Sequence, residues 1–381
     1  MKALHVITGL GAGGAEQQLR LLLRHLPVRC DVVTLTNPGA VADGLRADGV
    51  CVRDLAMNGN RDLTAVPRLA RLIRRGAYDL VHTHLYRACV YGRIAARIAG
   101  TTAVATEHSL GRAEIEGRPL TPGTRALYLR TERFGAATVA VSPTVAGRLL
   151  DWGVPAARIH TVPNGIDAAA FRFDPGRRRA TRAALRVPED AFVVGGVGRL
   201  VPGKRFDVLV RAVAALPDAW LVLAGDGPQA GPLRELAARL GVTGRVRLLG
   251  ECGTGDGPYG IPGLLCAMDA FVSASREESF GLAVVEALAA GLPVVHGTCP
   301  AVDDLPAGHA PGTVRIAGRR SDAGLTRELT AALRHLAVSG SRRLPPPPAV
   351  DHYAITSSSR LLMDVYAHAL DSAPSTGRTH P

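Results

Sequence analysis

Glu278 and Glu286 stand on either side of Ser279-Phe280-Gly281-Leu282 and the start of an apolar run that ends at Ala290. Gly291 closes that run, and Pro293-Val294-Val295 follows, so the segment reads as loop, helix, glycine stop and buried strand. A helix N-terminus offers unpaired amides and a partial positive charge, which suits a diphosphate. Ser279, Phe280, Gly281 and Leu282 would supply those amides, with Gly281 allowing close backbone approach. Glu286 would stand about 10 Å further along the helix. A carboxylate at each end of a diphosphate fits a sugar nucleotide, one accepting from sugar hydroxyls and the other from ribose hydroxyls. The bland alternative is an ordinary helix with a solvated loop glutamate. Against it stands Glu286 among small apolar residues, where a charge needs a partner.

The cations that would meet such a ligand are Arg199 and Lys204. Phe192–Leu200 reads as a buried strand, Val201–Arg205 as a loop and Asp207–Ala215 as a helix. Arg199 would fork onto phosphate oxygens and Lys204 would add a point charge. Lys2 and Lys204 are the only lysines; every other cation is arginine. A charged helix entrance facing solvent is the plain alternative. Gly9–Glu16, rich in glycine, joins a first strand, Ala3–Ile7, to a helix from Gln17. This is phosphate-binding architecture without the strict G-x-G-x-x-G spacing, and tight-turn packing accounts for it equally well. Strands and helices then alternate, which predicts an α/β fold with doubly wound parallel sheets. His82, His84 and Glu107-His108 fall at carboxyl ends of strands, where such sheets bind ligands.

The chain has 381 residues, enough for two domains with full cores. The polar, turn-rich stretch 172–180 predicts a linker, giving domains at 1–172 and 173–350. A last amphipathic helix, with a domain segment at 351–371, and a disordered tail at 372–381 complete the expected organisation. Residues 111–123 read as a loop of mixed charge and 297–320 as poorly patterned. Six scattered cysteines lack metal-ligand spacing and fit free thiols in a reducing cytoplasm. No signal peptide or spanning run is expected. Of the net charge of +12, residues 1–172 carry +9, from 22 Lys+Arg against 13 Asp+Glu. That basic half would suit an anionic acceptor or peripheral contact with an anionic membrane, though a merely solvated arginine-rich surface is equally open. Nothing predicts nucleic-acid binding.

Taken in order, Gly13-Gly14-Ala15-Glu16, Val81-His82-Thr83-His84, Glu107-His108-Ser109, Pro163-Asn164-Gly165-Ile166-Asp167, Gly198-Arg199-Leu200 with Lys204, Gly225-Asp226-Gly227-Pro228, and Glu278 with Glu286 resemble the retaining glycosyltransferases of family 4 over residues 3 to about 370. The resemblance implies the GT-B fold, with two Rossmann-like domains facing across a cleft and a C-terminal helix crossing back to the first. It implies transfer of a hexose or N-acetylhexosamine from a nucleoside diphosphate sugar, UDP favoured, to an acceptor hydroxyl, giving an α-glycoside with no cofactor or bound metal. By that resemblance His108, Glu278, Arg199 and Lys204 serve catalysis. Gly13, Gly14, Arg199, Lys204, Phe280, Gly281, Leu282 and Glu286 bind the donor. Asn164 and Asp167 would lie at the hinge, and base recognition would fall around Arg247–Gly250. The acceptor would be lipid-linked or a small molecule. Departures from the family pattern are the long Gly-rich loop 251–262 and the run His296–Asp304. A nucleotide-sugar epimerase on the same fold and a catalytically inactive sugar-nucleotide binder are the competing readings.

Overall fold

The structure is a computed structural model that describes every residue except Ala12, Asn60, Ala113, Gly117, Asp256, 318–320, 341–342 and 373–381. The chain divides into two compact units, Met1–Gly165 with Ile355–Pro381, and Ile166–Ala354.

In the first unit the chain runs β1 (Lys2–Ile7), α1 (Gly14–His25), β2 (Arg29–Thr34), α2 (Gly39–Ala47), β3 (Cys51–Asp54), α3 (Ala65–Gly76), β4 (Leu80–His84), α4 (Tyr86–Ala99) and β5 (Thr102–Glu107). A two-residue hairpin, β6 (Glu114–Ile115) with β7 (Arg118–Pro119), precedes α5 (Pro122–Glu132), β8 (Ala137–Ala140), α6 (Pro143–Trp152) and β9 (Ile159–Thr161). The seven main strands form one parallel sheet, ordered β3-β2-β1-β4-β5-β8-β9. Helices cover both faces, so the strands are near-continuous apolar runs such as Ala3-Leu4 and Val6-Ile7, with His5 as the polar interruption. Strand order reverses between β1 and β4, where the register sets His5 opposite His82 and Ile7 opposite His84. Ligands of such sheets bind outside the carboxyl ends of the strands at this switch point.

The second unit repeats the plan. Helix α7 (Pro175–Leu185) leads to β10 (Phe192–Val197), α8 (Phe206–Ala214), β11 (Ala219–Ala224), α9 (Ala230–Arg239), β12 (Val246–Leu248), α10 (Ile261–Ala267), β13 (Ala270–Ser273), α11 (Leu282–Ala289), β14 (Val294–His296), α12 (Pro300–Asp303), β15 (Thr313–Arg315), α13 (Asp322–Val338) and α14 (Pro348–His352). Its parallel sheet is ordered β12-β11-β10-β13-β14-β15, with the reversal between β10 and β13.

Helix α15 (Ile355–Asp371) then returns to the first unit. Ile355, Leu362, Val365, Tyr366 and Ala369 join one buried cluster with Leu19 and Leu22 of α1, Ile7 of β1 and Val104 of β5. At about 1.5–3 kcal/mol for each large apolar side chain buried, this face stabilises the unit by an amount comparable to a domain's whole net stability. The Tyr366 hydroxyl is also 2.6 Å from His82 Nδ1.

Three expectations need correction. The stretch expected to be a linker at 172–180 runs into α7, because Asp174 caps it by accepting from the Arg177 amide and Pro175 opens its first turn. The units part instead after Gly165, and the return crossing follows Ala354 rather than residue 350. Residues 297–320 are not patternless: β15 pairs with β14, a three-residue strand too short to show alternation. The 111–123 loop carries the β6–β7 hairpin. Of the expected tail, 372–381, all but Ser372 lies outside the described residues.

Candidate functional site

In the second unit, Arg199 sits on the turn leaving β10. That turn is stitched to the one leaving β11: the Leu200 amide donates to Asp226 O at 2.8 Å and the Gln229 amide to Leu200 O at 2.9 Å. Gly225 has φ 137°, and a Cβ there would stand 2.0 Å from Gly198 O. Glycine is therefore what lets the two loops meet. Arg199 is exposed and its guanidinium finds no acceptor among the described residues.

Lys204 follows on the next turn and forms an ion pair with Glu278. Ser275 Oγ donates to the same carboxylate oxygen at 2.8 Å, and the Arg276 amide donates to Gly203 O at 3.0 Å. The loop entering α11 is thus tied to the Lys204 turn by side chain and backbone together.

Gly281 is the N-cap of α11 in the left-handed region, φ 108°. A Cβ there would lie 2.5 Å from Cys299 Sγ, which itself donates to Phe280 O. The buried Phe280 ring meets Tyr353 edge-on, centroids 4.9 Å apart. With the loop pinned on both sides, the amides of Phe280, Gly281, Leu282 and Ala283 find no acceptor among the described residues. Such a row of donors at a helix start is an anion cradle. Two turns on, the Glu286 carboxyl finds no donor among the described residues, and burial pushes its pKa up to about 7.

In the first unit, Gly13 is the N-cap of α1 and Gly14 its first residue. Glu16 folds back over this turn, since a Cβ on Gly13 would lie 2.3 Å from Glu16 Oε2. His108 follows β5 directly. Its Nε2 is 3.1 Å from His84 Nδ1, and His84 Nε2 is 3.0 Å from His5 Nδ1. Burial lowers the His108 pKa to about 4 and that of His5 to about 3, and drives His82 and His84 well below the usual imidazole range. All four rings are therefore neutral at pH 7. Glu107 beside them is pushed up to about 7 by burial, with the Arg93 charge opposing. Gln18, His84, Thr106, His108 and Asn164 contribute to the wall of a cavity of about 30 Å³, room for one or two waters.

The structure brings Lys204 and Glu278 together and sets Phe280, Gly281, Leu282 and Glu286 along the start of one helix, with Arg199 on a loop braced within the same unit. Gly13, Gly14 and His108 belong to the other unit. Asp167 caps a short turn by accepting from the Ala169 amide. Arg247, expected near a base, donates to the Leu185 and Gly244 carbonyls and lies 4.8 Å over the Trp220 ring. Sequence reasoning missed three residues. His5 was visible as the polar interruption in an apolar strand. Cys299 and Tyr353, which brace Gly281 and Phe280, left no signal, because only the folded chain brings them near.

Residues 12–170 match the family profile described as Glycosyltransferase Family 4, and residues 177–315 that described as Glycosyl transferases group 1. A D-inositol 3-phosphate glycosyltransferase of Actinosynnema mirum is 31% identical over 324 residues, covering 78% of this chain and 74% of that protein. The enzyme of the same name from Salinispora tropica is 38% identical over 245 residues, 58% of this chain. The match spans only 50% of that relative's length. Among solved structures, Anabaena Alr3699/HepE in complex with UDP and glucose superposes with a TM-score of 0.84 at 22% identity, covering 96% of this chain and 99% of that one. At that identity the likeness establishes the fold, GT-B, and no more.

Proposed function

This chain belongs to glycosyltransferase family 4, and from that premise we propose that it transfers a hexose or N-acetylhexosamine from a nucleoside diphosphate sugar, UDP favoured, with retention of configuration. The observation that carries the reading is the start of α11: four amides without an acceptor among the described residues, with the Lys204–Glu278 pair on one side and, on the other, Glu286, which has no donor among them. Donor diphosphate would take the amides, Arg199 and one N–H of Lys204, whose ammonium has three. Glu278 keeps its place by Lys204 and accepts from hydroxyls of the transferred sugar. Glu286 accepts from the ribose hydroxyls and, by gaining two donors, becomes fully ionised.

Chemistry breaks the bond from the sugar's anomeric carbon to the phosphate oxygen and forms one to the acceptor oxygen on the same face. The acceptor's proton passes to the leaving phosphate oxygen. Charge builds on that diphosphate, where Arg199, Lys204 and fixed amides stabilise it most. Neither Glu278 nor Glu286 acts as a general acid or base. No metal or other cofactor is needed.

The relatives' name makes a small polyol phosphate the first acceptor to try, and the +9 charge of residues 1–172 suits an anionic one. A lipid-linked acceptor is the second reading. No helix among the described residues is long and apolar enough to cross a membrane. However, Leu127 and Phe134 are exposed on and just after α5, close in sequence to the exposed Arg130 and Arg133, and such a face suits peripheral contact with anionic lipid. Incubation of UDP-hexoses with D-inositol 3-phosphate, read by the anomeric proton coupling of the product, tests the reading. An α-glycoside is expected. A β-glycoside, or conversion of donor to its epimer without acceptor, contradicts it. Flotation with anionic vesicles at low salt separates the lipid reading, which requires binding.

A further inference from the structure

Lys204 and Glu278 sit on two separate loops of the second unit. They are joined by their own ion pair, and their loops by one backbone bond from the Arg276 amide to Gly203 O. A phosphate that takes part of the Lys204 ammonium weakens the first of these ties. A further tie lies one residue past Lys204 and two residues before Glu278, at Arg205 and Arg276.

Arg205 is in the left-handed region, φ 56°, between the turn Pro202–Lys204 and α8. Glycine takes that conformation freely, whereas a longer side chain there is uncommon and persists where its surroundings hold it. Here they do. The guanidinium, 6% exposed, forks onto Asp207, with Nε 2.9 Å from Oδ1 and Nη2 3.1 Å from Oδ2. Its Nη1 donates at 2.8 Å to Oδ1 of Asp322, the first residue of α13. Neighbours on one turn thus reach different partners, Lys204 to Glu278 and Arg205 to α13. The same Asp322 oxygen accepts from Arg276 Nη2 at 2.9 Å. Arg276 is fixed by its backbone as well, its carbonyl accepting from Thr298 Oγ1 at 2.9 Å. Two guanidiniums repel each other, and the carboxylate between them makes their approach favourable. Asp322 therefore joins the Lys204 turn to the Glu278 loop through side chains that the donor contacts leave free.

We propose that Arg205 and Asp322 are positioning residues for the donor site: the buried guanidinium anchors the Lys204 turn to α13, and Asp322, by holding Arg276 too, fixes that turn against the loop that carries Glu278. This rests on the proposed function for what Lys204 and Glu278 bind, but the clamp itself does not. When a diphosphate draws on Lys204, the clamp keeps the two loops at their spacing, and Glu278 stays in place for the sugar.

Calorimetry of UDP and steady-state transfer kinetics on the full chain test this. The Asp322 side chain is 67% exposed, so Asp322→Ala removes the clamp without touching the core. UDP Kd and donor KM should both rise about fivefold, the upper end for an exposed ion pair. Acceptor KM should stay within about twofold, and Asp322→Glu should restore most of the loss. Adding Arg276→Ala to Asp322→Ala should cost nothing further, because both remove one contact. The gap between wild type and Asp322→Ala should narrow at about 0.5 M salt, which screens exposed charges. Arg205→Gly keeps the backbone of the turn and loses the guanidinium, and should weaken UDP about tenfold.

Unchanged UDP affinity in Asp322→Ala or in Arg205→Gly would overturn the proposal, and so would independent, multiplying losses from Arg276 and Asp322. A lowered Tm with unchanged affinity would reduce the cluster to a stabilising one and overturn it equally. If Arg205→Gly does not fold, the Asp322 series decides. Amide hydrogen exchange without ligand separates the clamp from the donor reading: Asp322→Ala should speed exchange in both 199–206 and 274–281. Faster exchange there in a protein that binds no nucleotide keeps the clamp and refutes the proposed function. UDP binding and exchange that Asp322→Ala leaves unaltered keep the proposed function and refute the clamp.

Discussion

Glu278 neutralises Lys204 in the structure, and Glu286 faces no donor among the described residues. Those two states give opposite responses to substitution. Removing the ammonium in Lys204→Ala takes a charge-assisted bond from the diphosphate, about 1.5–3 kcal/mol, so UDP should bind about 10–100-fold more weakly by calorimetry. Glu286 carries a pH signature. Its folded pKa of about 7 lies above the unfolded value near 4.5, so ionising it costs the folded state stability as pH rises from about 4.5 to about 7. Glu286→Gln should therefore raise Tm at pH 8, by roughly 2–6 °C for a unit of this size, and change it little at pH 4.5. Donor affinity should run the other way. In the wild type it falls as pH drops below about 7, because the protonated carboxyl accepts less well, and in Glu286→Gln it is low and flat. Thermal scans and UDP titrations across pH 5–8 check both. At this scale the sequence was readable wherever chemistry sits on one short stretch, as with Glu278 and Glu286. His5 became meaningful only when β1 was laid beside β4.

The element that concentrates these charges is α11, and its start is held open from beneath. Gly281 at φ 108° rests on Cys299, and Phe280 rests on Tyr353. Gly281→Ala would strain the backbone and drive a methyl into the thiol, so UDP affinity should fall at least tenfold while the far-UV spectrum is kept. Pairing it with Cys299→Ala should recover only part, since the positive φ is untouched. Strands and helices were legible because buried parallel strands are continuous apolar runs and helices repeat every 3.6 residues. Failures came where those signals are short or mixed. β15 has three residues, and the arginine-rich α7 looks like a solvated linker until Asp174 and Pro175 are read as its cap.

For the whole molecule, the two-unit plan followed from the chain's length and the returning C-terminal helix from the resemblance, and the structure shows α15 packed within the first unit. The resemblance also put Asn164 and Asp167 at the hinge, and the units divide between them, after Gly165; the return crossing after Ala354 did not follow, and no composition shift marks it. A chain ending at Ala354 loses Ile355, Leu362, Val365 and Tyr366 from the first core. It should be recovered mainly as aggregate, with the first unit's cooperative transition absent in calorimetry; a soluble, cooperatively folding product would refute the role given to α15.

The central claim is that the start of α11 and the cations beside it hold the diphosphate of a sugar nucleotide. Titration calorimetry of UDP into wild-type, Lys204→Ala and Glu286→Gln protein at pH 7.5 tests it most directly. The account predicts one micromolar-range site in the wild type, weakened at least tenfold by each substitution with folding intact. Binding of UDP that both substitutions leave unchanged, or no binding of UDP or GDP to the folded wild type, would contradict it.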